Sequence, residues 1–528
     1  MATADTVVPR PSGMAATDAR PDLRYAWYGL TVLVIVYMLN FIDRQILSIL
    51  AEEVKRDLGL DDADLGFLYG TAFGVFYALF GIPLGRLADN VSRVRLMAVG
   101  LALWSAMTAV SGLVRSGGEL AAARIGVGIG EATASPCAYS LLSDWFPREK
   151  RATALAIYSS GLYLGGGLSL FLGGAIVAQW SAAFPGDGPL GLKGWQAAFL
   201  AVGLPGMLLA LWVATLREPV RGLSDGIVTP AAPHPFRLFA AELLTIIPPL
   251  TLLGAARNGT RALIANIAGL VAIAAIATGF IALTGDVAQW TAIGIGAYAV
   301  LSWASALRHR DKPTFALIVG TPAFLLVVMG YGLIAFLAYS VSFWAAPYAL
   351  RVLGAEPHFA GLWLGSAGAL GGFLGVVLGG RLADRLRLHN PGGRLLVALI
   401  GAVAPPPLVA IAFTTGSSTL FFVLALPLHI LSSCALGACA ATTQDLVLPR
   451  MRGTATATFF IGTTLIGLAL GPYAAGKVSA VSGSLSIGML ALLAATPISI
   501  ACLWLAYRRL PAAEASREAR ARAAGEAI

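Results

Sequence analysis

Fourteen stretches of roughly 20 apolar residues recur along this 528-residue chain, and no other feature restricts its fold so strongly. About 20 residues rising about 1.5 Å each cross the hydrocarbon of a bilayer, where helices satisfy their own backbone. Twelve fall near 25–50, 63–85, 96–114, 119–142, 152–178, 196–216, 315–347, 359–380, 395–415, 419–443, 453–476 and 484–507. Two more lie between the sixes, at about 262–284 and 287–307. The segment 236–256 is amphipathic and broken at Pro248-Pro249, so it reads as interfacial. Charged residues make up 12% of the chain, against about 25% in soluble domains. An all-α polytopic membrane protein follows, and a soluble enzyme, a disulfide scaffold and a disordered chain are excluded.

The formal charge of +9 reports topology. With the N-terminus placed inside, 28 of the 36 Lys and Arg fall in inner loops. Six fall outside (Lys55, Arg56, Arg115, Lys193, Arg351 and Lys477), and Arg44 and Arg124 lie within spans. Basic residues stay on the cytoplasmic side, so both termini are expected there, in the plasma membrane, and no nucleic-acid partner is needed. The outer loops are acidic, as at Glu52, Glu53, Asp57, Asp61, Asp62 and Asp64. The expected organisation is a disordered tail at 1–24, a six-helix lobe at 25–216, and a linker at 217–314 carrying the interfacial segment and inserted pair. A second six-helix lobe at 315–510 and a tail at 511–528 complete it.

An internal repeat ties the halves together. Gly85-Arg86-Leu87-Ala88-Asp89 and Gly380-Arg381-Leu382-Ala383-Asp384 each follow the second span of their half, trailed by Arg93 and Arg95 or by Arg385 and Arg387. Pseudo-symmetric halves of this kind hold substrate between them near the midplane. Gly85 and Gly380 are expected to let a neighbouring helix approach closely. Asp89 and Asp384, with Arg86, Arg93, Arg381 and Arg385, are expected to form a gating latch across the cytoplasmic gap.

Gly-x-Leu-Ala-Asp with trailing basic residues resembles the signature of the major facilitator superfamily. The first copy departs from it at Asn90, where Arg is common, and at Ser92, where Gly is common. Asn40-Phe41-Ile42-Asp43-Arg44, Arg124-Ile125-Gly126-Val127-Gly128-Ile129-Gly130-Glu131-Ala132 and Ser143-Asp144-Trp145-Phe146-Pro147 further resemble spinster-type transporters. The resemblance implies two pseudo-symmetric six-helix lobes, a cavity lined by the first and fourth spans of each, and proton-linked transport of an amphipathic substrate.

Charges inside spans cost at least about 2.5–3.5 kcal/mol each at the helix centre, so they normally face a cavity and have partners. Asp43 and Arg44 lie in the first span, and Arg124 and Glu131 in the fourth, with Glu131 about 18 Å from its outer end. Arg124 and Glu131 are seven residues apart and share a helix face. The expected arrangement sets Asp43 opposite Arg124, with Glu131 one or two turns below and Arg44 turned about 100° from Asp43. Protonating Asp43 or Glu131 would remove an arginine's partner and couple a proton gradient to a conformational step. A static ion pair that fixes helix packing is the competing reading. Arg44 or Arg124 would meet one charged group on the substrate, and Tyr163, Tyr331, Tyr339, Trp344 and Tyr348 could line its cavity.

Other signals are weaker. Gly471-Pro-Tyr-Ala-Ala-Gly476-Lys477-Val478 nearly matches a P-loop, but Val stands where Ser or Thr should ligate magnesium. Cys137, Cys434, Cys439 and Cys502 form no CxxC pair and read as packed thiols. His429 reads as hydrogen-bonded core, and Asp144 and Asp445 as partners of nearby arginines. No metal, cofactor or nucleophile–base pair is expected. The expected function is secondary active transport of a small amphipathic or organic-anion substrate by a proton-coupled monomer. A drug/proton antiporter, an aromatic-acid/proton symporter and a non-transporting receptor or scaffold are the alternatives.

Overall fold

The computed structural model describes residues 22–185, 188–221 and 234–526. The tail expected at 1–24 lies outside them except for its last three residues. Helix α1 spans Leu23–Leu58, opened by the Asp22 carboxylate on the Arg24 and Tyr25 amides and closed by Gly59 in the left-handed region. Such caps satisfy the orphan groups of helix ends. α2 (Asp62–Ala88) and α3 (Arg93–Ser111) follow. The fourth span, α4, consists of Gly117–Glu131 and Ala134–Trp145, with Ala132 and Thr133 between them still in right-handed geometry. α5 (Arg148–Ala183) and α6 (Gly194–Ala214) complete the first six.

The interfacial segment is a pair of short helices, α7 (Pro235–Ile246) and α8 (Leu250–Arg257), bent by 98° at the two prolines. The inserted helices α9 (Thr260–Thr284) and α10 (Val287–Arg310) follow. The second lobe contains α11 (Pro322–Arg351), α12 (Pro357–His389), α13 (Gly393–Ala412), α14 (Ser418–Asp445), α15 (Pro449–Ser482) and α16 (Leu485–Ala515). Among the described residues thirteen continuous helices are long and apolar enough to cross a membrane, and the interrupted α4 makes the fourteenth element of the expected set.

Within each lobe the same helices pack together: α1 on α5, α3 on α4 and α6, and correspondingly α11 on α15 and α13 on α14 and α16. Lipid supplies no hydrophobic drive between helices, so close packing rests on small residues. A Cβ built on Gly128 would stand 2.6 Å from the Phe73 carbonyl oxygen, and one on Gly130 2.8 Å from that of Gly100. The α4 glycines are therefore a packing surface, as their spacing indicates.

The start of α1, the end of α16, the two repeat motifs and the α4–α5 turn lie on one face of the bundle, here the terminal face. The opposite, distal face carries the α1–α2 and α11–α12 turns. The two lobes meet along two seams in the distal half, and glycine again sets the distance. At the α2/α15 seam a Cβ on Gly70 would lie 2.2 Å from the Leu468 carbonyl oxygen. At the α5/α12 seam a Cβ on Gly167 would lie 2.3 Å from that of Gly365. Both helices of the first seam include a π-helical stretch, Phe67–Thr71 and Thr463–Ala469, where they cross. The Thr71 hydroxyl donates to the Ala469 carbonyl there at 2.6 Å; π-turns concentrate at functional positions.

Gly85 and Gly380 do not serve the close approach expected of them. A Cβ on Gly85 would meet only Pro136, at 3.9 Å, and one on Gly380 would meet nothing within 4 Å. The tight contact belongs to Gly379, whose Cβ would stand 2.3 Å from the Cys434 carbonyl oxygen. Beyond α16 the chain continues as α17 (Arg517–Ala523), with Ala521 fully buried and Arg517 donating to the Asp445 carbonyl at 2.9 Å.

The two kinds of glycine contact should respond differently to added bulk. Gly70→Val forces the lobes apart at the distal seam, so a Ser48→Cys reporter buried in that interface should react several-fold faster with a maleimide. Gly128→Val acts inside the first lobe and should instead reduce the yield of folded protein, measured by size-exclusion chromatography.

Candidate functional site

The intramembrane charges gather where α1 crosses α4. Asp43 and Arg124 are fully buried, Glu131 is 1% exposed and Arg44 8%. The expected pairing is corrected here. Arg44 forms the ion pair, its Nη2 standing 2.8 Å from Glu131 Oε2. Arg124 donates from Nη1 to the backbone carbonyl of Asp43 at 3.0 Å and from Nη2 toward that of Arg44 at 3.4 Å. The reason is geometric: at its depth on α4, Arg124 meets the backbone of the α1 turn, and the long Arg44 side chain reaches past it to Glu131. Arg124 thus joins two helices and has no open face for a ligand.

Both carboxyl oxygens of Asp43 are buried without an aligned hydrogen bond, although the Trp104 indole and Thr108 hydroxyl lie beside them. Glu131 Oε1 is likewise unpaired. Removing one partner of a buried ion pair typically costs about 3–5 kcal/mol, because the other charge is stranded. Arg44 is enclosed by aromatic faces, its guanidinium carbon 4.7 Å from the Phe41 ring centroid, 4.4 Å from Phe73 and 5.0 Å from Tyr77. Cation–π attraction of this kind is worth about 0.5–2 kcal/mol per ring.

Of the aromatic candidates, Tyr339 on α11 stands within electrostatic range of Arg44, and Tyr163 on α5 within range of Tyr339. These two join the charged cluster. Tyr331 stacks on Phe459 inside the second lobe. Trp344 and Tyr348 are buried in the distal contact, Trp344 donating to the Pro472 carbonyl at 2.9 Å and Tyr348 packing on Phe413 and Phe421. Neither lines a cavity. Sequence reasoning passed over Tyr37 and Tyr77, which lie near Arg44, and Tyr139 beside them. Tyr37 stacks on Tyr158 at 4.4 Å. The i, i+7 spacing of Tyr37 and Arg44 on α1 was the available signal. His429 Nδ1 contacts the Ala425 carbonyl at 2.8 Å, as a core histidine does.

The distal closure is also polar. Arg351 reaches across the lobes to Glu52 at 2.6 Å and Asp62 at 2.6 Å. Ser479 donates to Asp62 at 2.6 Å, and Gln45 and Ser48 on α1 donate to the α11 backbone at Ser342 and Phe343. Glu52, Asp62 and Arg351 had been read only as markers of topology, and Gln45, Ser48 and Ser479 had not been singled out.

On the terminal face, among the described residues, the partners of the motif charges Arg86, Arg93 and Asp384 lie in their own half or in the linker, and none in the opposite lobe. Buried Arg93 at the start of α3 bonds Asp144 at 2.5 Å and Glu218 at 2.7 Å. At the same interval in the second half, Arg394 at the start of α13 bonds Asp445, and Arg387 bonds Glu514 at 2.8 Å. Asp384 pairs with Arg394 at 3.2 Å. Arg221 holds the first motif's loop through the Ala88 and Val91 carbonyls. Burial pushes the Asp89 carboxyl above its ordinary range despite Arg221, Arg86 and Arg93 nearby. Burial also pulls Glu218 upward, but the Val94 amide and Arg93 outweigh it and hold that carboxyl below its usual value. The two departures from the signature have local work: Asn90 bonds back to the Arg86 carbonyl at 2.8 Å, and Ser92 caps α3 while donating to Glu218 at 2.9 Å. Arg381 and Arg385 are exposed.

Two helical lobes with repeated motifs at equivalent turns and charges enclosed at mid-span define a membrane transporter. The family profile of the Major Facilitator Superfamily matches residues 33–361, and the chain belongs to that superfamily. It is similar to an MFS-type efflux pump of Mycolicibacterium smegmatis, 28% identical over 92% of this chain and 94% of that one. Protein spinster homolog 1 of Homo sapiens is 26% identical over 85% of this chain and 72% of its own length. The fold matches a bacterial homolog of the human lysosomal transporter Spinster, solved inward-facing and occupied, with TM-score 0.65 and 24% identity over 94% and 97% of the two chains.

The terminal-face pairs differ in burial and so in expected cost. Arg93→Gln removes the buried guanidinium shared by Asp144 and Glu218 and should cost about 1.5–3 kcal/mol, as loss of a hydrogen bond to a charged group does, visible as a lower midpoint in a thiol-reactive-dye melt. Arg381→Gln, fully solvated, should leave the midpoint within about a degree, because exposed charges contribute little.

Proposed function

We propose that the protein is a proton-coupled secondary transporter that moves a small amphipathic or organic-anion substrate by alternating access across the cytoplasmic membrane. Both termini are then cytoplasmic and the terminal face is the inner one. The observation that carries this reading is the Asp43 carboxyl: buried mid-bundle, next in sequence to the Arg44–Glu131 pair, and without an aligned hydrogen bond. A proton can be taken up there without breaking an ion pair. A proton on Glu131 weakens its hold on Arg44, which is then available to an anionic group on the side of Tyr77 and Tyr339. A substrate anion and a proton therefore answer to the same arginine, and that competition is the coupling. Arg124 serves as a positioning residue that fixes the α1 turn. The motif residues Gly85, Arg86, Asp89, Arg93, Gly380, Arg381, Asp384 and Arg385 act in gating, and while the distal seams are closed Arg86, Arg93 and Asp384 have partners outside the opposite lobe.

A drug/proton antiporter is the second reading, favoured by the similarity to an efflux pump along nearly the whole chain. Both readings share the proton step, and the direction of substrate movement separates them.

In proteoliposomes carrying an imposed pH gradient, Asp43→Asn is expected to fold normally, retain counterflow exchange, and lose gradient-driven accumulation by at least tenfold. Glu131→Gln should also uncouple, with a lower melting midpoint because Arg44 loses its counter-charge. Wild-type gradient-driven flux in both variants would refute the proton switch and leave the static ion pair. Binding without exchange in the wild-type protein would instead support a receptor.

A further inference from the structure

The inserted helix α10 lies along the α2/α15 seam and touches both lobes. Val75 and Leu79 of α2, Ala469 and Leu465 of α15, and Ala299 and Trp303 of α10 form one apolar cluster. Gly296 shows the seam at a single residue: its Cβ would stand 3.0 Å from Leu465 and 3.3 Å from Val75. The companion α9 buries only Ala262 and Asn266, so it forms the outer layer and α10 the inner one.

The distal end of α10 is fastened to the second lobe, and its terminal end to both, to the second through Asp311 and Arg450 at 2.7 Å and to the first through Glu242. At the distal end, Asp286 accepts from the Tyr473 hydroxyl at 2.5 Å and from Lys477 at 2.9 Å, both on α15. Lys477 also donates to the Thr284 carbonyl at 2.6 Å, and Trp290 meets Tyr473 edge-on. At the terminal end, Arg310 bonds Glu242 of α7 at 3.0 Å, and the same carboxylate, 4% exposed, takes Arg86 of the first lobe's motif at 3.2 Å. The chain Arg86–Glu242–Arg310–α10–Asp286–Lys477 therefore runs diagonally from the terminal end of the first lobe to the distal end of the second.

Alternating access rocks one lobe against the other, which parts α2 from α15 at the distal face. A helix packed on α2 and bonded to α15 cannot keep both sets of contacts through that motion. We infer that the inserted pair is a strap across the α2/α15 seam that holds the distal side closed, and that release of the Asp286 clasp is a step in each opening. A ligand gains only from a difference between states, and so does this clasp: its bonds exist in the distal-closed state and are lost in the other. The inference rests on two lobes that rock, and on neither proton coupling nor the identity of the substrate.

The test reads conformation, so a failed coupling assay leaves it standing. The full chain carries Ser48→Cys, a position fully buried in the closed distal interface, with Cys502→Ser to remove the one native thiol that is not buried. It is placed in nanodiscs and the maleimide labelling rate is measured. Asp286→Asn and Lys477→Met should each raise that rate at least threefold, and the double variant should add little because both cut the same clasp. Glu242→Gln should raise it through the other end. Glu356→Gln, an exposed distal carboxylate outside the strap, should leave it unchanged. Rates unchanged across the Asp286, Lys477 and Glu242 variants would overturn the proposal. So would an equal rise in Glu356→Gln, which would assign the effect to distal surface charge.

Discussion

A guanidinium and a carboxylate bonded 2.8 Å apart in the middle of an apolar bundle govern the rest of this molecule. Taking two charges out of water costs several kcal/mol per ion, and their mutual attraction offsets that only with good geometry and further hydrogen bonds. Here the geometry is good and the further bonds are incomplete. Arg44 Nε, Glu131 Oε1 and both oxygens of Asp43 are buried without an aligned partner. A site built only for stability would satisfy these atoms or replace them with leucine. A site that must change its charge state during work cannot do so, because a fully bonded cluster has one stable arrangement.

The surroundings answer that instability in two ways. Aromatic rings on α1 and α2 give Arg44 a soft enclosure that tolerates its movement better than a second carboxylate would. Arg124 ties the α1 turn to α4 through backbone carbonyls, which fixes Asp43 and Arg44 whatever the protonation of either acid. The charges on the terminal face repeat one pattern in both halves, an arginine at the start of one helix bonded to an aspartate at the end of the next. That places symmetric ends around an asymmetric centre, since the second lobe carries no counterpart to Arg44 and Glu131.

Much of this was readable from the residues. Helix number, the two halves and the repeat at Gly85 and Gly380 follow from hydropathy and from a pentapeptide recurring at equivalent turns. The depth of Asp43, Arg44, Arg124 and Glu131 follows from helical rise. The pairing among them does not, because side-chain reach decides it: Arg44 extends past its neighbours to Glu131, and one-dimensional spacing favoured Arg124 with Asp43. Arg351, Asp62 and Ser479 were hidden for a different reason. They come together only when two lobes far apart in sequence meet, and each alone looks like an ordinary loop residue. Gly85 and Gly380 misled because the tight contact sits one residue earlier, at Gly379, and because a motif glycine shows its use only in the state that needs it.

Along their glycines the seams close backbone to backbone, as at Gly70 and Gly167. Surfaces of that kind slide or separate without any rotamer having to withdraw from a socket. Resistance to opening comes instead from the side chains beside them, such as Tyr69 stacked on Phe343, and from polar bonds at the rim, which water can take over one at a time. The consequence is a gate whose speed is set by its border residues, so its kinetics can be tuned over generations with little disturbance to the helices behind it.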